Sequence, residues 1–361
     1  MSTFHKIKVL VVDDSAIVRR ALSQVLAQDP EIDVVGAACD PYVARDMILQ
    51  LNPDVLTLDI EMPRMDGLTF LKILQQHHPL PVVIISSVTP AGSRLAVAAL
   101  EAGAVDVIAK PESAWSLGDL RAQLAPRVKG AARARLKNPG ATPPPEGTEP
   151  RSTGASFHPR QVVVMGASTG GTEALKRVLS RLPDGLPGIC VVQHIPPLFS
   201  KAFAERLNEC CAFEVREAAH GDRLRPGLAL VAPGNFHLAL HWEGGSYQAR
   251  LDQSPPLNFV RPAVDVLFDS AAVCAGRHAV SVLLTGMGCD GAQGMQQLKA
   301  AGAPTIVQDE ATCVVYGMPR AAVELGVVDE QVSLDRVPQA VLRALERGAA
   351  VASRAQLSTI N

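Results

Sequence analysis

Residues 7–28 read IKVLVVDDSAIVRRALSQVLAQ, and this stretch decides the fold class of the N-terminal part of the chain. Six mainly apolar residues lead into two aspartates, and the apolar positions that follow recur at helical spacing. Ser15 stands at the junction, where a hydroxyl can accept an early backbone N–H of a helix. The stretch therefore predicts a strand followed by a capped amphipathic helix, the repeating unit of an α/β fold.

The same alternation continues along the first third of the chain. The predicted strands there are residues 7–12, 34–37, 55–58, 82–86 and 105–108. Five strands alternating with helices predict a doubly wound, flavodoxin-like parallel sheet. We therefore expect residues 5–125 to form a first domain.

A second α/β pattern occupies residues 160–350, with predicted strands at residues 161–165, 189–193 and 280–284. Residues 213–251 contain short β-like runs broken by Gly and Pro, which we interpret as antiparallel strands. The prediction is a doubly wound parallel-sheet domain with a small antiparallel extension.

Residues 126–159 are predicted to be a flexible linker between the two domains. They include a stretch rich in Pro, Gly, Thr and Ser, with consecutive prolines at 143–145. Such a composition buries too little apolar surface to order itself. The basic, Ala-rich residues 121–137 could continue a helix or contact nucleic acid, but a run of one charge sign is usually a solvated tail.

Composition excludes several classes of function. The 361 residues include 34 Lys plus Arg and 36 Asp plus Glu, so the net charge of -2 offers no field for nucleic acid or anionic lipid. Aromatic residues make up 4%, too few for stacking single-stranded bases. We see no membrane-spanning run, no signal peptide and no helix-turn-helix tail of a DNA-binding regulator. Seven scattered cysteines without C-x-x-C spacing predict free thiols in a cytoplasmic protein.

Acidic side chains follow two predicted strands of the first domain. Asp13 and Asp14 end the first strand and Asp59 ends the third, so the three carboxylates should meet at the carboxyl edge of the sheet. Their mutual repulsion favours a divalent cation, and Mg²⁺ prefers oxygen ligands. Ser86 and Lys110 follow the fourth and fifth strands and would bring a hydroxyl and an ammonium to the same edge.

The motifs VVDDS, LDIEMPRMDG, PVVIISS and Lys110-Pro111, in this order, resemble the receiver domain of two-component response regulators. The resemblance implies that a chemotaxis histidine kinase phosphorylates Asp59. It also implies Mg²⁺ bound by Asp14, Asp59 and the backbone carbonyl of Glu61, with Asp13 nearby or acting through water. Lys110 would then pair with the phosphoryl oxygens, Ser86 would donate a hydrogen bond to them, and the Lys110–Pro111 bond would be cis.

Three loops of the second domain carry reactive side chains at predicted strand ends. They are VVVMGASTGG (residues 162–171), CVVQHIPP (190–197) and LLTGMGCDGA (283–292). The first is not a G-x-G-x-x-G loop, and no acidic residue ends the next strand, which argues against dinucleotide binding. An aspartate such as Asp290 often caps the helix that follows it, a role compatible with catalysis.

Together the loops supply a hydroxyl in Ser168, a base in His194 and a carboxylate in Asp290. A serine becomes a nucleophile when a histidine takes its proton, and a buried carboxylate orients that histidine. The order Ser…His…Asp, without G-x-S-x-G, differs from the α/β-hydrolase arrangement. The sequence thus predicts a Ser-His-Asp hydrolase on a different doubly wound sheet.

Residues 160–350 also resemble the catalytic domain of the chemotaxis protein-glutamate methylesterase family. The shared motifs are GASTGG, VVQHIPPLFSKAFAERLN, APGNFHL, RPAVDVLF, LLTGMGCDGAQGM and QDEATCVVYGMPRAAVELG. The resemblance implies hydrolysis of glutamate methyl esters on methyl-accepting chemoreceptors, with release of methanol, and deamidation of certain receptor glutamines. It implies no cofactor for the esterase, and it points to the Met287 N–H, with the Thr169 region second, as oxyanion donors.

Four further positions in or next to these motifs do not belong to the predicted triad. Val260 and Cys289 depart from the family pattern, and Cys289 bears on oxidative sensitivity rather than on the reaction. We expect Arg261 and Asp265 to form an ion pair, with contact to an acidic substrate as the alternative.

The fusion of a receiver to a hydrolase predicts control by phosphorylation. In this hypothesis the unphosphorylated receiver covers the triad, and phosphorylation of Asp59 adds charge that releases it. The alternative function is a phosphorylation-controlled interaction module without catalysis.

Overall fold

The computed structural model describes residues 6–110, 117–136 and 157–358, and the chain divides into two units, Met1–Thr142 and Pro143–Asn361. The predicted cis bond at Lys110–Pro111 and residues 137–156 of the predicted linker lie outside the described residues.

Five strands and five helices alternate in the first unit. In chain order they are β1 (Ile7–Val12), α1 (Ala16–Leu26), β2 (Ile32–Ala38), α2 (Pro41–Leu51), β3 (Val55–Asp59), α3 (Gly67–His77), β4 (Val82–Ser86), α4 (Pro90–Glu101), β5 (Asp106–Ala109) and α5 (Leu117–Ala132). The strands pair in parallel in the order β2-β1-β3-β4-β5, which is the flavodoxin-like arrangement. The predicted fold class of this unit is confirmed.

Helix α1 begins where the sequence indicates. The Ser15 hydroxyl accepts a hydrogen bond from the Val18 N–H at 3.4 Å, which satisfies one of the otherwise unpaired donors of the first turn. Leu22, Val25 and Leu26 form the buried stripe of the helix, as the spacing of apolar residues predicts.

Helix α5 extends beyond the predicted boundary at residue 125. Leu124, Val128 and Ala131 are buried, because their spacing places them on one face of the helix. Arg127 donates to the Asp106 carboxylate at 3.0 Å, and Lys129 pairs with acidic side chains on the segment before β2. Residues 126–132 therefore belong to the first unit, and assigning them to a solvated linker was wrong.

Nine strands and six helices make up the second unit. In chain order they are β6 (Val162–Ala167), α6 (Gly171–Leu179), β7 (Ile189–Gln193), α7 (Phe199–Asn208), β8 (Glu214–Glu217), β9 (Leu228–Val231), β10 (His237–Glu243), β11 (Ser246–Asp252), α8 (Val264–Cys274), β12 (Ala279–Leu283), α9 (Ala292–Ala300), β13 (Thr305–Gln308), α10 (Met318–Glu324), β14 (Glu330–Val332) and α11 (Val337–Ser358). Seven of these strands form a parallel sheet in the order β14-β13-β12-β6-β7-β9-β8.

The antiparallel part is smaller than the sequence predicts. Only β10 and β11 pair antiparallel, whereas β8 and β9 join the main sheet as parallel neighbours. All four residues of β9 are buried, as expected for a parallel strand covered on both faces, and the connection after β8 crosses over instead of turning back. Interpreting the whole of residues 213–251 as antiparallel was wrong in this respect.

The order of the sheet determines where the reactive loops meet. β12, β6 and β7 are adjacent, and all three are fully buried. Their parallel direction brings the loops that follow them to one edge. The cluster of buried apolar residues beneath that edge holds the strand ends in place.

Candidate active site and acidic cluster

Ser168 lies on a tight turn between β6 and α6. Its backbone N–H donates to the Thr285 carbonyl at 3.0 Å, and its own carbonyl accepts from the Gly171 N–H at 2.7 Å. Gly170 adopts a φ of +75°, and a Cβ there would lie 2.6 Å from the Val314 Cβ. Glycine is required at this position because both the backbone conformation and the available space exclude a side chain.

His194 follows β7 and lies beside the serine. Its backbone N–H donates to the Ala167 carbonyl at 3.2 Å, which ties the two loops together. The imidazole is 7% exposed, and its Nδ1 lies 3.1 Å from the Ser168 Oγ. The distance between Nδ1 and Oγ allows the ring to take the hydroxyl proton.

Asp290 lies on the far side of the imidazole. Its Oδ2 is 2.7 Å from the His194 Nε2, and the carboxylate is 3% exposed. The same carboxylate accepts from the Val264 N–H at 2.6 Å and from the Asp265 N–H at 3.0 Å. Asp290 thus caps α8, a helix distant in sequence, whereas the N-cap residue of the helix that follows it, α9, is Gly291.

These contacts determine the protonation of the triad. Burial acts to raise the pKa of Asp290, but hydrogen bonds from His194 and two backbone N–H groups outweigh it and lower the pKa. An ionised Asp290 accepts a hydrogen bond from the Nε2–H of His194, which leaves Nδ1 with a free lone pair toward Ser168.

The predicted oxyanion donors differ in their surroundings. The Met287 N–H donates no hydrogen bond within the described parts of the chain, and Met287 follows Gly286, where a Cβ would lie 2.7 Å from the Ser168 Cβ. Thr169 is 2% exposed, and its carbonyl accepts from the Thr285 hydroxyl at 3.0 Å. The roles of Met287 and Thr169 as oxyanion donors both stay predictions.

Sequence reasoning missed two buried polar side chains that connect the loops. Gln193 Nε2 donates to the Ser168 carbonyl at 2.8 Å and approaches the His194 carbonyl at 3.4 Å. The Thr285 hydroxyl donates to Thr169 and accepts from the Val315 N–H at 3.0 Å. A polar residue at the end of an otherwise apolar strand was the signal that could have identified both.

The predicted Arg261–Asp265 ion pair is absent among the described residues, so that expectation was wrong. Arg261 donates instead to the Asn235 side chain and to the carbonyls of Gln253 and Ser254, each of the two carbonyl contacts at 2.8 Å. Val260 forms a small backbone bridge with Leu257, and the Cys289 thiol is exposed beside the triad.

The acidic cluster of the first unit forms at the carboxyl edge, as predicted. Carboxylate oxygens of Asp13, Asp14 and Asp59 lie within 4.8 Å of one another. Asp13 and Asp59 are fully buried, whereas Asp14 is exposed. Lys110 Nζ lies 2.7 Å from the Asp59 carboxylate and 3.1 Å from that of Asp13.

The electrostatics of the cluster suit a divalent cation. Burial raises the pKa of Asp59 to about 6, although Lys110 acts against it. Three carboxylates face one ammonium, so negative charge is in excess, and an all-oxygen donor set is the one that Mg²⁺ prefers. Asp13, Asp14 and Asp59 thus fit the metal implied by the sequence.

Glu61 and Ser86 complete the surroundings of Asp59. The Glu61 N–H donates to the Asp59 carboxylate at 3.2 Å. Ser86 ends β4 but donates to the Gly92 carbonyl at 3.3 Å, not to Asp59. A role for Ser86 on a phosphoryl group would therefore require its hydroxyl to change partner.

Among the described helices, none is long and apolar enough to cross a bilayer.

Comparison with known proteins gives matches to both units. The family model of the CheB methylesterase matches residues 163–341, and that of the response regulator receiver domain matches residues 9–121. The chain is 52% identical over 351 residues to the protein-glutamate methylesterase/protein-glutamine glutaminase 2 of Syntrophus aciditrophicus, covering 94% of this chain and 99% of that protein. It is 49% identical over 347 residues to the corresponding protein 2 of Pseudomonas aeruginosa, covering 94% and 97%.

A solved structure is also similar to the second unit. The crystal structure of the Thermotoga maritima CheB methylesterase catalytic domain aligns with a TM-score of 0.50 and 40% identity. The alignment covers 51% of this chain and 97% of that domain.

Proposed function

This chain belongs to the protein-glutamate methylesterase/protein-glutamine glutaminase family of chemotaxis proteins, and on that premise we propose that Ser168, His194 and Asp290 hydrolyse glutamate methyl esters on methyl-accepting chemoreceptors. The observation that carries the proposal is the continuous hydrogen-bonded chain from the Ser168 hydroxyl through the imidazole to Asp290. A complete triad also favours an enzyme over the alternative of a non-catalytic interaction module.

The first half of the reaction forms an acyl-enzyme. Ser168 Oγ attacks the ester carbonyl carbon while its proton moves to His194 Nδ1, and Asp290 stabilises the resulting imidazolium. The Met287 N–H lies in the loop that can donate to the developing oxyanion, a contact worth about 3–4 kcal/mol in comparable sites. The tetrahedral intermediate then collapses, and His194 returns the proton to the departing methanol.

The second half restores the enzyme. Water attacks the acyl carbon while His194 Nδ1 takes its proton, and the proton passes to Ser168 Oγ as the acyl bond breaks. The product is a free glutamate carboxylate on the receptor. A glutamine side chain would form the same acyl-enzyme with ammonia as the leaving group, which accounts for deamidation.

Regulation in this proposal acts through Asp59, which accepts a phosphoryl group from a chemotaxis histidine kinase. Mg²⁺ would be held by Asp14, Asp59 and the Glu61 carbonyl, with Asp13 nearby, and supplies charge neutralisation during transfer. Lys110 already contacts Asp59 and is placed to pair with the phosphoryl oxygens.

The partners proposed are therefore the receptors as substrates and the kinase as phosphodonor, with the enzyme in the cytoplasm.

Methanol release from methylated cytoplasmic receptor fragments tests the proposal. We expect release by the full-length protein to increase when acetyl phosphate and Mg²⁺ are added together. Release that ignores the phosphodonor would contradict the regulatory part, and no release from folded protein would contradict the reaction.

A further inference from the structure

Two helices that pack against each other exchange capping carboxylates behind the triad. Asp290 directly precedes the N-cap residue of α9, yet its carboxylate accepts from the first N–H groups of α8. Asp265 belongs to the first turn of α8, yet its Oδ1 accepts from the Gly294 N–H in the first turn of α9 at 2.7 Å. Asp290 therefore accepts from unpaired N–H groups at the start of α8, and Asp265 accepts from an unpaired N–H group at the start of α9.

The two carboxyl groups are not equally supported. Asp290 receives three hydrogen bonds of 3.0 Å or less, including one from His194. Asp265 receives the one from Gly294 and a longer contact of 3.4 Å from the Asn258 amide. Both aspartates are almost fully buried, at 2% and 3% exposure. The Asp265 backbone N–H bonds the Asp290 carboxylate, so the two buried carboxyl groups are neighbours. Ionising both would carry a large electrostatic cost, so the proton stays on the less supported one.

The charged groups around Asp265 agree with this distribution. Its nearest ionised neighbour is Asp290, and Arg261, the cation expected to pair with it, is bound elsewhere. His237 of β10 contacts the Ala263 N–H at the start of α8, and Asp269 of α8 lies exposed one turn further on. Burial, together with the charge of Asp290, raises the pKa of Asp265 to about 7 despite the hydrogen bond from Gly294.

We propose that Asp265 is a positioning residue for the triad: as a neutral acid it donates a hydrogen bond to Asp290 and, through Gly294, locks Asp290 between α8 and α9. The chain of hydrogen bonds then runs from Asp265 through Asp290 and His194 to Ser168. This inference rests on the proposed function, since a fixed Asp290 matters only where His194 must present Nδ1 to Ser168. Above pH 7 Asp265 ionises, loses the proton that it donates and repels Asp290.

The test compares Asp265→Asn, Asp265→Ala and the control Asp33→Asn, an exposed aspartate of the first unit, in the full-length protein. The amide of Asp265→Asn can still donate to Asp290 and accept from Gly294, but it cannot ionise. We expect Asp265→Asn to retain most of the wild-type activity at pH 6. The ratio of its activity to that of wild type should increase as the pH rises to 8. Asp265→Ala should lower kcat about 10- to 100-fold with little change in KM, because the triad loses its alignment but not its substrate contacts. Asp33→Asn should follow wild type at every pH, because its side chain is exposed and belongs to the first unit.

Two readouts do not depend on the receptor substrate. A fluorophosphonate labels an activated serine, so its rate of reaction with Ser168 should show the same order of variants and the same pH dependence. The infrared difference spectrum of wild type minus Asp265→Asn should contain a protonated carboxyl band that is lost above pH 7. A constant ratio of Asp265→Asn to wild type between pH 6 and 8, or an unaltered band, would overturn the proposal.

These readouts also separate the two claims. If wild type releases no methanol but labelling and spectra behave as expected, the proposed substrate is wrong and the role of Asp265 stands. If Asp265→Ala does not fold, the pH dependence of Asp265→Asn still decides.

Discussion

At the scale of single residues, the orientation of the His194 ring assigns the roles of its nitrogens. Nε2 faces Asp290 and Nδ1 faces Ser168, so this chain uses Nδ1 as its base, whereas the chymotrypsin-type triad uses Nε2. Proton transfer requires only that one nitrogen be held by the carboxylate and the other reach the hydroxyl. The chemistry is therefore preserved although the ring is presented differently.

Ser168→Ala should reduce ester hydrolysis at least about 1000-fold, because the remaining side chains provide no nucleophile. Within the described residues the Ser168 hydroxyl is hydrogen-bonded only to His194, so the thermal unfolding midpoint should change little. Methanol release and circular dichroism check both statements, with Ser180→Ala at the end of α6 as the matched control. Substantial hydrolysis by Ser168→Ala would end the nucleophile assignment.

Asp59→Asn should stabilise the first unit near pH 7.5 in metal-free buffer. Burial raises the pKa of Asp59 to about 6 in the folded protein, so the native state binds this proton more tightly than the unfolded chain. The free energy of unfolding of wild type should therefore fall as the pH rises from about 4 to about 6, and the ionised group costs about 3 kcal/mol above that range.

Urea unfolding at pH 4 and pH 7.5 measures the difference between Asp59→Asn and wild type. The difference should be present at pH 7.5 and largely gone at pH 4, whereas the exposed control Asp33→Asn should show none at either pH. A difference that grows on acidification would show that the sign is wrong. The same variant should also lose any response of methanol release to acetyl phosphate.

At the scale of elements, the site depends on how closely the loops after β6 and β12 approach each other. Gly286 packs against Ser168, and a Cβ at this position would also collide with the Met318 sulfur. Interiors of this density do not accept an added methyl group without displacing backbone or side chains.

Gly286→Ala should therefore lower kcat by about 10-fold or more, because it moves Ser168 and the Met287 N–H relative to each other. Steady-state kinetics on receptor fragments measures the effect. Ser180→Ala at the C-terminal end of α6 is the control. Equal kinetics for Gly286→Ala and wild type would show that the loops have room to adjust.

At the scale of the whole molecule, two units with separate cores are joined in one chain. Each unit has its own parallel sheet, and the first matches the response regulator receiver domain while the second matches the CheB methylesterase. Such a fusion has a use only if the state of the first unit alters the activity of the second.

Removing residues 1–135 should therefore raise basal methanol release, since the restraint by the unphosphorylated receiver would be gone. The fragment should also no longer respond to acetyl phosphate. Circular dichroism of the fragment controls for folding, because the second unit retains its own seven-stranded sheet. Unchanged or lower activity in a folded fragment would contradict restraint by the receiver.

The sequence by itself determined both α/β patterns, the acidic edge and the three reactive loops. These features are local, since an apolar run that ends in Asp, Ser or His shows both the strand and the edge at which its last side chain lies. The resemblance of the motifs to known families added the predicted ester hydrolysis and its predicted control by phosphorylation. The parallel pairing of β8 and the length of α5 were not determined, because a short strand and an Ala-rich basic helix give a weak pattern.

Only the tertiary structure decided which hydrogen bonds the site makes. His194 and Asp290 meet across 96 residues, and Asp290 caps α8 while Asp265 caps α9 because these two helices pack together. Arg261 donates a hydrogen bond to Asn235 and does not pair with Asp265, which also depends on how the folded chain places these residues. Local pattern encodes burial and secondary structure, but the partner of a buried polar group depends on which elements pack around it, and that arrangement exists only in the folded chain.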